Sequence, residues 1–209
     1  MRTPDSWAPA RATLTIAAAT GVAWFLATML GFADAAAMYG GFVPARVGED
    51  TLPAVILTPL TAALVHAGLI HLGFNLLILL FCGRPVETIL GSRGLVILYV
   101  VGAYAAAATH YLIDPDSPVP MVGASGAISA VLGAYAMLFG RNRVKVANHR
   151  LAMWLNALWL AAAWIGLQLL VGITFQTAGA RLAVGAHIGG FLTGLILAKP
   201  LLLLRYRGA

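Results

Sequence analysis

Charged side chains divide the chain into six uncharged windows: 12–33, 51–83, 94–113, 117–140, 151–180 and 182–198. A helix needs about 20 largely apolar residues to cross a bilayer, within a range of roughly 17–25. Each window therefore predicts one membrane-spanning helix. Pro53 and Pro59 disfavour continuous helix at the start of the second window, which moves its span to 62–82. The last span runs past Lys199, because lysine can snorkel to a membrane face. The predicted spans are 12–33, 62–82, 94–113, 123–140, 151–174 and 182–204. They form one all-α membrane domain over 12–204, between a short segment 1–11 and a tail 205–209. The first window is longer than the apolar region of a signal peptide and reads as a retained helix.

Composition agrees with this class. Hydrophobic residues make up 61% and charged residues 10%, against about half and a quarter in soluble domains, and the mean hydropathy is +0.90. The net charge of +6 would suit nucleic acid only on a solvated basic face. Here the basic residues sit in short links, where they set topology. With both termini in the cytoplasm, eleven of the thirteen Lys and Arg residues fall on that side and only Arg46 and Arg181 on the other, a strong positive-inside bias. The basic run 141–150 is then a cytoplasmic link between the fourth and fifth spans. The single cysteine, Cys82, excludes an internal disulfide and reads as a small buried residue.

No window carries an acid or a strong base at its centre, which argues against a proton or ion path. The polar residues at membrane depth are instead His66, His71 and Asn75 on the second span, Ser125 and Ser129 on the fourth, and His187 on the sixth. Ser125 lies among Gly123, Ala124, Gly126 and Ala127. Alone, that pattern is ordinary helix packing, and a single histidine or asparagine can simply join two helices. Together these residues supply what acyl transfer requires. Ser125 is the candidate nucleophile and His187 its general base. His71 and Asn75, four residues apart on one helical face, are candidate oxyanion donors alongside the Ser125 N–H. No carboxylate stands at this depth, so a dyad is the form to expect. A metal site is not indicated: His66 and His71 are five apart and no H-E-x-x-H occurs.

Three motifs, HAGLIHLGFN at 66–75, GASG at 123–126 and AHIGGFLTG at 186–194, resemble those of the rhomboid intramembrane serine proteases in order, spacing and helix placement. Glu87 followed by Gly91 is similar to the family's pattern as well. The resemblance spans roughly residues 40–198. It implies a six-helix bundle with a water-filled cavity opening to the outer side, and cleavage of other membrane proteins' transmembrane helices near their outer ends, without a cofactor; nucleic acid and metal are not expected, on the charge placement and spacing above. It implies Ser125 as nucleophile, His187 as base, and His71 and Asn75 in the oxyanion hole. His66 would give structural support, and Gly190 and Gly194 would let the sixth span pack closely on the fourth. It also suggests the fifth span and the 175–180 link as gate elements, and a prokaryotic cytoplasmic membrane as the location. Two features depart from the pattern. Ser129 stands where some members carry an aromatic residue against the histidine, and Ser129 is expected to hydrogen-bond His187 or hold a water. Leu57 and Thr58 replace a Trp-Arg pair in the first loop. An inactive relative that binds transmembrane helices and a small transporter are the competing readings.

Overall fold

A computed structural model describes residues 10–140, 149–177 and 183–207. Among these residues seven α-helices follow one another: α1 (Arg11–Met29), α2 (Ala33–Gly40), α3 (Leu52–Thr61), α4 (Leu69–Ile113), α5 (Ser125–Phe139), α6 (His149–Thr177) and α7 (Val184–Arg205). Short 3-10 turns occupy Pro44–Arg46 and Ala62–Leu64. Among the described residues, β pairing is confined to one antiparallel bridge, Phe42 to Met121. Helices α1, α4 and α7 are long and apolar enough to cross a membrane. The protein is a multi-pass, all-α membrane protein.

The solvent-facing logic of a soluble bundle is inverted. On α1 the buried residues are Ala12, Thr13 and Thr20, while Val22, Phe25, Leu26 and Met29 are exposed. Apolar surface of this kind marks a face that meets lipid or another apolar partner rather than water.

α4 has 45 residues but is not one rod. Its early residue His71 and its late residue Ala106 both lie against the start of α5, the first at Gly123 and the second at Gly126. A straight helix would hold those two residues about 52 Å apart at 1.5 Å per residue. The chain doubles back at Gly91, where φ is 76° and ψ is 163°. That left-handed backbone favours glycine. Two helices predicted separately are thus joined by a single-residue hinge.

The hinge is tied to two other helix ends. Glu87 is buried, and its carboxylate accepts the N–H groups of Ala12 and Thr13 (2.8 Å each), the Thr13 hydroxyl (2.7 Å) and the Ser92 hydroxyl (2.6 Å). It caps α1 from a distant part of the chain, satisfying donors that a helix start leaves without intrahelical partners. Arg205, ending α7, donates Nη1–H to the carbonyls of Thr88 (2.7 Å) and Glu87 (3.4 Å).

α4, α5 and α7 form the centre, around Leu79, Val86, Leu95, Leu98, Ala130, Val131 and Ala198. α7 approaches α5 along its glycines. A Cβ on Gly190 would run into the Gly126 carbonyl, and one on Gly194 into the Ala130 carbonyl. α6 leans on α7 through Ala161, Phe191 and Leu195 and exposes Trp154, Leu158 and Trp159.

Several boundaries differ from the sequence reading. The second span begins at Leu69, not 62, because Ala62–Leu64 forms a 3-10 turn followed by extended Val65. His66 therefore precedes the helix. Pro53 and Pro59 do not prevent helix upstream: Pro53 sits in the first turn of α3, where no intrahelical N–H is lost, and Pro59 is accommodated inside it. Most of the basic run 141–150 and the end of the 175–180 link lie outside the described residues.

Candidate active site

The first turns of α4, α5 and α7 converge. Ser125 is the first residue of α5, preceded by Ala124, and Ile128 N–H is the first in that helix to bond an i−4 carbonyl, Ala124 O at 2.9 Å. The N–H groups of Ser125, Gly126 and Ala127 thus precede the intrahelical ladder. His187 lies in the first turn of α7, and its Nε2 is 2.7 Å from Ser125 Oγ. With the ring hydrogen on Nδ1, the Ser125 hydroxyl donates to Nε2, the arrangement a general base requires. Ser125, His71 and His187 are each half-buried.

The strand-like approach to Ser125 is fixed by backbone and histidine together. Gly123 has φ 112°, and its N–H donates to Ala62 O at 2.8 Å. A Cβ there would meet His71 Cε1 at 2.6 Å and Nε2 at 2.8 Å, and would stand 3.7 Å from Ser125 Oγ. Only glycine lets the His71 ring lie this close to the serine. His66 packs behind His71, with ring centroids 5.0 Å apart, and its Nε2 accepts the Ala124 N–H at 3.4 Å. It braces the residue beside Ser125, although it lies off the helix. Asn75 is buried, and its Nδ2–H donates to His71 O at 2.9 Å. The amide retains a second N–H.

Ser129 behaves differently from expectation. Its hydroxyl donates to Ser125 O at 2.7 Å, an i−4 back-bond within α5, and its Cβ faces Gly190. The bond made with its own helix replaces the expected bond to His187. Gly126 provides the remaining closeness: a Cβ there would be 2.5 Å from Ala106 Cβ and 3.8 Å from Ala186.

The first loop is held without a Trp-Arg pair. Thr61 donates its hydroxyl to Gly40 O at 2.6 Å, Arg46 donates Nη1–H to Met38 O at 2.6 Å, and Phe42 N–H bonds Met121 O at 3.0 Å. Trp164, on α6, donates its indole N–H to His187 O at 3.3 Å. None of these partners carries a spacing signal, because each bond joins residues distant in sequence to a main-chain carbonyl. Among the described residues, no group of three or more His, Cys, Asp or Glu is placed to hold a metal ion.

Comparison with known proteins bears on this arrangement. The Rhomboid domain family matches residues 54–204. The chain is 33% identical over 176 residues to the rhomboid protease GlpG of Haemophilus influenzae, covering 82% of this chain and 81% of that one. It is 30% identical over 142 residues to the rhomboid protease GluP of Bacillus subtilis, covering 68% of this chain and 25% of GluP. With RHOMBOID-like protein 5 of Arabidopsis thaliana the identity is 32% over 139 residues, 66% of this chain and 42% of that one. The chain thus spans only a quarter of GluP and under half of the Arabidopsis protein.

Proposed function

The chain belongs to the rhomboid family, and from that premise we propose that it is an intramembrane serine endopeptidase working through a Ser125–His187 dyad. The observation that carries the reading is the 2.7 Å contact between His187 Nε2 and Ser125 Oγ. Nε2 takes the serine proton as Oγ attacks the scissile carbonyl, then delivers it to the leaving amine. Water repeats the sequence to release the acyl group. The negative charge on the carbonyl oxygen is met by the Ser125 N–H, His71 and the free N–H of Asn75. Three helix N-termini face this point, each contributing partial positive charge, in surroundings of low dielectric where such donors act most strongly.

The topology that suits this chemistry is six spans with both termini in the cytoplasm, the two arms of α4 counting separately. α5 has 15 residues and is about 22 Å long, shorter than a hydrocarbon core of about 30 Å. With its C-terminus at the cytoplasmic boundary, Ser125 stands about 8 Å inside the outer edge, at the depth of a substrate helix's outer end. Substrates are therefore membrane proteins, cleaved where their helices unwind near that face, and the setting that fits the bacterial relatives is a cytoplasmic membrane. No cofactor takes part in this scheme.

Ser125→Ala tests the proposal. Cleavage of a reporter transmembrane substrate by the purified protein should fall to background, and a fluorophosphonate should label the unaltered protein at Ser125 but not the variant. Full cleavage by the variant overturns the reading. Absence of labelling in the unaltered protein favours an inactive binder of transmembrane helices.

A further inference from the structure

We propose that Trp164 is a positioning residue for His187, supplied by α6 to hold the first turn of α7 in register with Ser125. The inference deepens the dyad reading and rests on it.

The problem it answers is local. Residues 185, 189 and 190 around His187 are glycine, and glycine is the weakest helix former after proline. The His187 N–H reaches Ala183 O at 3.3 Å, the long edge of hydrogen-bond geometry. A general base placed on so weak a turn depends on tertiary contacts for its position. On one side they come from α4 and α5: Gly185 lies against Thr109 and Ile113, and Gly190 against Gly126 and Ser129. Those contacts require the glycines, since close approach is what removes room for Cβ.

The opposite side is closed by Trp164. Its indole N–H bonds the carbonyl of His187 itself, and its ring stacks on Phe191 at 5.3 Å with 20° between planes. Phe191 is one turn beyond His187 and buried. One side chain therefore grips α7 at two points bracketing a full turn, one polar and one aromatic. The other tryptophans of the helix, Trp154 and Trp159, are exposed. Trp164 is the member of the set turned to the bundle, and the ring that reaches the base residue's main chain.

Trp164→Phe separates the two grips, because phenylalanine keeps a ring for Phe191 and loses the N–H. Trp159→Phe on the same helix is the control. In detergent-solubilised full-length protein, Trp164→Phe should lower the rate of fluorophosphonate labelling at Ser125 and kcat on a reporter transmembrane substrate by about 3- to 10-fold, the worth of one hydrogen bond. KM should stay unchanged, the melting temperature should fall by no more than about 4 °C, and Trp159→Phe should match the unaltered protein. Equal labelling rates for Trp164→Phe and the unaltered protein overturn the proposal. So does a rise in KM at constant kcat, which assigns Trp164 to substrate contact. A fall in melting temperature at constant kcat also overturns it, reducing the contact to packing. If the unaltered protein is not labelled at all, the dyad reading itself fails, and that result is distinct from each of these.

Discussion

Adding a single methyl group at Gly190 should disable the site without touching any group that takes part in the chemistry. A Cβ there overlaps the Gly126 carbonyl oxygen and comes within 3.1 Å of Ser129 Cβ. Main chain cannot rotate aside as a side-chain tip can, so α7 must retreat by about 1 Å to restore contact distance. His187 sits three residues earlier on the same helix and retreats with it. Its 2.7 Å contact with Ser125 then lengthens beyond hydrogen-bond range. A misplacement of about 1 Å is enough to cost roughly 10²-fold in rate, and overpacking a tight contact costs about 1–3 kcal/mol of stability. Gly190→Ala should therefore lower fluorophosphonate labelling of Ser125 about 100-fold, with a reduced melting temperature in detergent. Gly166→Ala is the matched control, since nothing lies within 4 Å of a Cβ at that position. Its labelling should be unchanged and its stability equal or slightly higher, by the helix propensity of alanine. Labelling of Gly190→Ala at the unaltered rate would refute the claim that α5–α7 closeness sets the dyad.

Two further outcomes follow from the same contacts. Glu87→Ala removes the acceptor for four donors and leaves two helix-start N–H groups buried, so thermal or denaturant unfolding should show a loss of about 2–4 kcal/mol; a variant as stable as the unaltered protein contradicts the capping role. Asn75→Ala removes a proposed oxyanion donor, and kcat on a transmembrane reporter should drop about 10²-fold while Ser125 and His187 remain paired; an unchanged kcat removes Asn75 from the site.

Much of the candidate site was legible because it gathers residue types that a membrane helix ordinarily excludes. Ser125, His71, Asn75 and His187 stand out against uncharged windows; counting along the predicted spans puts Ser125 and His187 in first turns, whereas His71 reaches a first turn only because α4 begins at Leu69 rather than 62. His66 was legible as a residue but not as a loop residue, since the 3-10 turn at Ala62–Leu64 has no apolar signature distinct from helix. The Ser129 bond to Ser125 O was not legible, because a serine can bond its own i−4 carbonyl or a neighbouring helix and only the rotamer decides. Trp164 gave no signal among three tryptophans spaced evenly along α6.

The sequence by itself determined the class: an apolar chain cut by charge into spans, with polar groups rare within them. These are properties of composition and of distance along the chain, which transfer energies and helical rise convert directly into structure. Tertiary structure alone decided which residues meet. The Gly91 hinge brings His71 and Ala106 to the same turn of α5, Glu87 caps a helix more than seventy residues away, and the glycines of α7 let His187 reach Ser125. Such contacts depend on how helices pack, and packing is a relation between side chains that no single span encodes.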